Sequence, residues 1–534
     1  MKKYIIPFLA LGLATACVDD EGNYNYTDMN QLSVENIEAS YDLLAYIDVL
    51  EINPTIEGSL YGDDESNYEY KWVLCYQNHT HDIIGTERDL KWKADVPEGE
   101  YKVYLYVTDK NTDIEKNFNT TIRTASPFNT GFLVLGKDMS SGLSALDMVT
   151  MPPNRDTTMV ENVVDMSSMN MTEPSMVITA GRRYPNRTDY TRIWISGEDN
   201  SYCILSPESE SVSTLSNLGD AASQAFIEID IPHDKRVIIR DMFPRPSYTM
   251  RNNQYRGYIT NDLIVFGMRT SNEYYAQPCN RYSAASEVLF KPYPLCFCPG
   301  TSSSAQYLCM AYDMDADCFV NLPGAPVSGT FVTKPTDRAT DAWAFDLKSE
   351  NRTLVYGENG FEPGNSYMYA LVKEANSDSG IRYIYRWTLT RSWMGGGTVT
   401  ATKSPLYTVD PAEATDFDKA SHYMFSSNKT SVLYTVGNRL YQYDYSRRML
   451  GHYDFPDEIT LIKADYASGM SVSDFIVATY SEQNKGMIYK MQVPNNPNAV
   501  EFEFEERTDP ETGEMVPVKW PTRLKVTDIE WKTN

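Results

Sequence analysis

Apolar and polar residues alternate in short runs along most of the chain, and long helical patterns are scarce. The clearest run is GEYKVYLYVTD at 99–109, where Tyr101, Val103, Leu105 and Val107 alternate with Lys102, Tyr104 and Tyr106. A period of two predicts a half-buried strand. Gly99 opens it and the polar turn DKNTD closes it. Upstream, YEYKWVLCYQ places Tyr70, Trp72, Leu74 and Tyr76 on one face. A tryptophan in a central strand of a sandwich packs in its core. Further strands are predicted near 31–37, 46–57, 67–77 and 114–123. Residues 31–125 thus read as one β-sandwich.

Beyond it, a loose unit recurs, an apolar strand, a polar turn and a second strand. It appears in TRIWISGEDNSYCIL (191–205), YLCMAYDMDADCFVNL (307–322), AWAFDLKSENRTLVYG (342–357), RLYQYDYSRRMLGHY (439–453) and DFIVATYSEQNKGMIYKMQV (474–493). In three of these an aspartate precedes the turn, at Asp313, Asp346 and Asp444. Blades of a β-propeller average about 40–45 residues, so 126–534 has room for seven or eight. A propeller must close its ring, often by sharing one blade between both chain ends. The strand GFLVLG (131–136) is the predicted partner of LKVTDIEWK (524–532).

Composition agrees with an all-β protein. The 534 residues include 39 Tyr, 19 Phe and 8 Trp, types that favour strands. Net charge is −26, which speaks against nucleic-acid binding through phosphates and against adhesion to anionic lipid.

The front end changes the picture more. Met1-Lys2-Lys3 precedes an apolar run from Tyr4 to Ala16 that is too short to span a membrane. This reads as a secretory signal peptide over 1–16. Ala14-Thr15-Ala16 is followed by Cys17 and resembles a bacterial lipobox, which implies cleavage before Cys17 and its acylation. Two or three acyl chains anchor firmly, each buried methylene contributing about 0.8 kcal/mol. Residues 17–30 then form a polar tether. Its acids Asp19, Asp20 and Glu21 resemble the surface-export signal of Bacteroidetes lipoproteins; the alternative is a merely solvated tether.

GEYKVYLYVTD is similar to the terminal strand of PKD and other immunoglobulin-like modules. With CVDDEGNYNY before it and SPFNTGFLVLGKDMSSGLSALDMV after it, it resembles the PKD-like family of Bacteroidetes surface lipoproteins. Members pair such a sandwich with a larger C-terminal β region. The FGDG-type turn of true PKD domains is missing. The resemblance implies an outer-membrane lipoprotein facing the cell exterior. It also implies partners, a TonB-dependent importer and its SusD-like lipoprotein, beside which such proteins help capture glycans or peptides. A scaffold contacting only proteins of that complex is the second reading, and a propeller hydrolase or lyase the third.

Candidate chemistry is sparse. Gly-x-Ser-x-Gly, HExxH and phosphate-cradling motifs do not occur, so no catalytic residue and no cofactor is expected. Five cysteines lie between Cys279 and Cys318. Cys296 and Cys298 are one residue apart, with no histidine in the interval, which is not a zinc pattern. If extended, they share a face. One disulfide among Cys279, Cys296, Cys298, Cys309 and Cys318 is one reading, and buried thiols are the other. Asp313, Asp315 and Asp317 fail the EF-hand pattern, because Cys318 and Gly324 occupy its glycine and glutamate places. No metal is therefore expected. As ligand-binding candidates we take exposed aromatic and basic loop residues, Trp393 and Met394 before three glycines, Tyr274 and Tyr275 with Tyr282, and Arg182, Arg183 and Tyr184.

Overall fold

The protein is described by a computed structural model covering residues 29–152, 156–184, 187–198, 200–204, 212–214, 238–243, 255–268, 274–275, 278–299, 308–323, 331–362, 366–391, 399–465, 473–493, 502–509 and 512–533. Its architecture is all-β; helical geometry among these residues is confined to 3-10 turns such as Leu347–Glu350. The chain divides into two compact units, 1–126 and 127–534.

The first unit is a sandwich. One sheet has the strand order Ser40–Leu44, Ile114–Ala125, Gly99–Asp109, Tyr68–Cys75 and His81–Gly85. Opposing it are two ladders, Leu32–Glu35 with Thr55–Gly58 and Val49–Ile52 with Leu90–Lys93. The predicted alternation holds. Val103, Leu105 and Val107 are buried, while Tyr104 and Tyr106 are half-exposed. Trp72 is fully buried among Leu50, Ile52, Leu74 and Leu105. Its indole N–H donates to the carbonyls of Glu87 and Arg88 at 3.1 and 3.2 Å, which satisfies the one polar atom it brings into the core.

The second unit contains eight sheets among the described residues. Four are simple four-stranded antiparallel sheets. The sheet led by Arg352–Asn359 and the sheet led by Glu458–Ala464 each carry an additional paired strand. Two are two-stranded: the small ladder Glu506–Thr508 with Met515–Pro517, and the hairpin Met310–Asp313 with Cys318–Asn321, which is flanked by isolated bridges at Phe297↔Met310 and Asn321↔Thr333.

One sheet is shared by the two ends of the unit. Leu524–Thr533 pairs antiparallel with Thr130–Asp138, with Phe132 opposite Trp531 and Val134 opposite Ile529. This is the closure predicted from GFLVLG and LKVTDIEWK. Gly131 is required there, since a Cβ would lie 2.0 Å from the Val149 carbonyl oxygen.

The recurring hairpins are present at Arg187–Gly197 with Ser201–Ile204, at Met310–Asp313 with Cys318–Asn321, at Arg439–Asp444 with Met449–Asp454, and at Asp474–Ser481 with Lys485–Gln492. The aspartates before the turns have a physical task. Asp313 accepts from the N–H groups of Asp315 and Ala316. Asp444 does the same for Ser446 and Arg447. Each carboxylate satisfies turn donors that the ladder leaves over.

The segment 342–357 departs from expectation. Only Arg352–Asn359 is a strand; Asp346 instead caps the 3-10 turn Leu347–Glu350 by accepting from Ser349 N. The apolar residues before it, Trp343 and Phe345, leave the strand pattern to join a core with Phe319 and Trp387.

Candidate functional site

Polar side chains knit most of the junctions between successive sheets. Asp528 Oδ2 accepts from Val177 N at 2.8 Å, joining the shared sheet to the one after it. Ser201 Oγ accepts from Ile239 N at 2.8 Å. Asp241 Oδ2 accepts from Cys296 N at 2.8 Å, and Asn359 Oδ1 accepts from Cys298 N at 3.1 Å. Glu358 Oε2 accepts from Phe425 N at 2.5 Å. The strand His422–Phe425 packs beside Glu458–Ala464. Lys463, on that strand, returns to the shared sheet through Asp528 at 2.8 Å, Glu530 at 3.3 Å and the Ile529 carbonyl. Seven of the eight sheets therefore form a closed circuit, which is the propeller arrangement.

The electrostatics of the circuit are those of a fastening. Asp241 and Asp528 are buried, and both carboxylates are engaged by backbone N–H groups. A second charged cluster secures the closure. Arg523, just before the last strand, reaches Asp138 at 2.7 Å, Asp147 at 2.9 Å and Glu161 at 3.3 Å. Asp147 has no solvent exposure, and burial pushes its carboxyl above the ordinary range, against the pull of the Asn162 N–H and Arg523.

Cysteines occupy the core between the sheets led by Ile239–Phe243 and Arg352–Asn359. Cys279, Cys296, Cys298, Cys309 and Cys318 are all buried and all thiols, packed with Phe243, Ile264, Phe266 and Val320. Of the two readings of the sequence, the structure has buried thiols. Burial pushes Cys279 up to about 12 and holds Cys296 and Cys309 well above the ordinary thiol value. Cys296 and Cys298 do share a face. The Phe297 and Met310 backbones exchange both hydrogen bonds at 2.8 Å, and this brings Cys309 to the same spot. The three Sγ atoms lie within 4.8 Å of one another. That convergence was not visible in the spacing, since it depends on a pairing between strands.

Asp313, Asp315 and Asp317 do not point at a common centre. Asp315 accepts from Lys291 N, and Asp317 accepts from the hydroxyls of Tyr312 and Thr353. Cys17, Asp19, Asp20, Glu21, Trp393 and Met394 lie outside the described residues. Arg182 and Tyr184 fall on the strand Pro174–Tyr184 and Tyr274 with Tyr275 on a short strand paired to Ile264–Met268; their side chains lie outside the description. Tyr282 is partly exposed, with its hydroxyl donating to Asp313 at 2.6 Å.

Residues 17–172 match the model of the PKD-like family. The match starts at Cys17, spans the sandwich and continues through Thr158–Val164 of the shared sheet. Among solved structures, the chain is similar to a quinoprotein alcohol dehydrogenase-like protein from Bacteroides thetaiotaomicron. The identity is 11%, 87% of this chain and 94% of that one are covered, and the TM-score is 0.36. It is also similar to the WD40 domain of SCAP from fission yeast, at 8% identity, 72% and 91% coverage and a TM-score of 0.28. A third similar structure is PorZ, a surface component of the type-IX secretion system of Porphyromonas gingivalis, at 7% identity, 80% and 64% coverage and a TM-score of 0.18. A comparison with curated protein sequences found no match. The propeller assignment rests on the circuit of sheets itself.

Proposed function

We propose that this chain is a lipid-anchored lipoprotein of the outer membrane that faces the cell exterior and binds rather than catalyses. It serves a TonB-dependent importer and its SusD-like lipoprotein by capturing glycan or peptide. The observation that carries the anchoring is the start of the PKD-like match at Cys17 itself, the residue that follows the lipobox-like Ala14-Thr15-Ala16. No helix among the described residues is long and apolar enough to cross a membrane, so in this reading the acyl chains supply the attachment. The sandwich is a spacer and the propeller presents the binding surface. The engagement of Asp241, Glu358 and Asp528 by backbone donors supports a non-catalytic role, since a general acid or base must be available to a substrate.

One observation favours the scaffold reading. Tyr282, Val288, Met314 and Phe331 are exposed apolar residues on segments held together by Met314 N to the Lys291 carbonyl and Val332 N to the Arg281 carbonyl. Clustered apolar exposure marks protein contacts.

Replacing Cys17 by Ala is expected to abolish labelling by a palmitate analogue and to release the protein from the membrane fraction. A variant that stays membrane-bound would show the anchor to be elsewhere. Affinity purification of the wild type from solubilised outer membranes is expected to recover an importer. Recovery of none removes the nutrient-capture setting while leaving the lipid anchor standing.

A further inference from the structure

We propose that Cys296, Cys298 and Cys309 form a buried site for a soft monovalent metal ion, with Cu(I) as the chemical match. Three sulfurs within 4.8 Å of one another, all from buried residues, are what such an ion requires. Around one ion with metal–sulfur bonds of ~2.3 Å, three coplanar donors stand roughly 4 Å apart. Small rotations of the three side chains bring the observed set to that spacing.

The backbone beneath the sulfurs is fixed from several directions. Asp241 holds the Cys296 N–H, and Asn359 accepts from Cys298 N while donating to the Cys296 carbonyl at 2.7 Å. The Cys309 carbonyl accepts from Leu322 N at 2.8 Å. The Asp241 and Asn359 clamps come from the neighbouring sheets on either side and the Leu322 bond from the hairpin itself, so the donors are positioned before any ion arrives. Preorganisation of this kind is what a metal site needs from its surroundings.

The surroundings select the ion. The wall is apolar, formed by residues such as Phe243, Ile264, Phe266 and Val320. Zinc prefers a fourth ligand, whereas a soft monovalent ion accepts three sulfurs. Each sulfur that binds the ion does so as a thiolate, so its S–H bond is exchanged for a Cu–S bond and the proton leaves to solvent. No oxidation or reduction occurs. Loading is therefore favoured by rising pH.

The test uses the full chain under anaerobic, reducing conditions with Cu(I) supplied as its bicinchoninate complex. The wild type is expected to withdraw one equivalent of Cu(I) and to release thiol protons as it does so. Cys298→Ser and Cys309→Ser should withdraw none. Cys318→Ser, in the same core but outside the trio, should retain the full equivalent. Failure of the wild type to withdraw Cu(I) overturns the proposal whatever the variants do. So does full retention in Cys298→Ser. A Cys298–Cys309 disulfide in the protein as isolated, read as a mass 2 Da lower before reduction, would also overturn it, because those two sulfurs would then be committed to each other.

Discussion

Arg523→Met is expected to destabilise the second unit by about 3–5 kcal/mol, the range for removing one partner of a buried ion pair. The aliphatic stem is kept, so the loss reports the guanidinium rather than packing. Asp147 decides the size of the effect. It is fully buried, one oxygen accepts from Arg523 and from Asn162 N, and the other has no partner among the described residues. Without Arg523 its charge would be stranded in the sheet that joins the two chain ends. Arg523→Lys should fall between, because a single ammonium cannot fork to Asp138 and Asp147 together. Urea unfolding followed by a probe in the second unit measures both.

The pH dependence of that deficit has a definite sign. The folded-state value of Asp147 is already raised by burial, and Arg523 is one of the influences that lower it. Removing the arginine raises it further. A carboxyl raised in the folded state costs stability above its folded pKa, and this cost is relieved as pH falls through that value toward the unfolded one. Asp138 acts in the same direction. Burial opposes its ionisation, but bonds from Ser140 and the Arg523 charge hold it below the ordinary value. Its contribution is present in the wild type at neutral pH and fades only below the ordinary carboxylate value, as pH falls through its folded value, so the narrowing between pH 7 and pH 4 reports Asp147. The gap between Arg523→Met and wild type should therefore narrow from pH 7 toward pH 4. A gap that is constant across this range would mean that Arg523 acts through packing alone.

Much of this architecture was legible because it is local. The strand 99–109 has its predicted boundaries, since Gly99 and the DKNTD turn bracket a strict alternation. The closing pair was legible for a related reason, as GFLVLG is an apolar run and LKVTDIEWK alternates, at the two ends of a repeat-rich region. Short strands such as His81–Gly85 escaped notice, because an exposed edge strand has no buried face to impose a period. At 342–357 an aspartate that signals a turn was read as a hairpin turn, when it caps a 3-10 turn instead. The junction residues were illegible in principle. Asp241 meets Cys296 across 55 positions and Asp528 meets Val177 across 351, and nothing in a lone buried carboxylate announces its partner. The thiol cluster was half legible, with Cys296 and Cys298 on one face by spacing, while Cys309 arrives only through the Phe297–Met310 pairing.

A chain ending at Arg523 is expected to lose the second unit's cooperative fold while the sandwich still melts as a unit of its own. The removed strand, Leu524–Thr533, pairs with the whole of Thr130–Asp138 and buries Leu524, Val526 and Ile529. At about 1.5–3 kcal/mol for each buried aliphatic side chain, those three alone contribute on the order of 5–9 kcal/mol. A domain's entire stability is about 5–15 kcal/mol. The truncation also strips Lys463 of Asp528 and Glu530 and leaves Val177 N without its acceptor. Two junctions of the circuit fail together, so the loss exceeds what the strand's own burial accounts for. The sandwich has a separate core around Trp72, Leu105 and Val107 that none of this touches. Hydrogen exchange distinguishes the cases. Amides of Thr130–Asp138 and Arg439–Asp444 should lose protection, while those of Gly99–Asp109 keep theirs. Retained protection at Arg439–Asp444, in a sheet that the removed strand does not enter, would show that the sheets are stable without closure and that the ring is not a single cooperative unit.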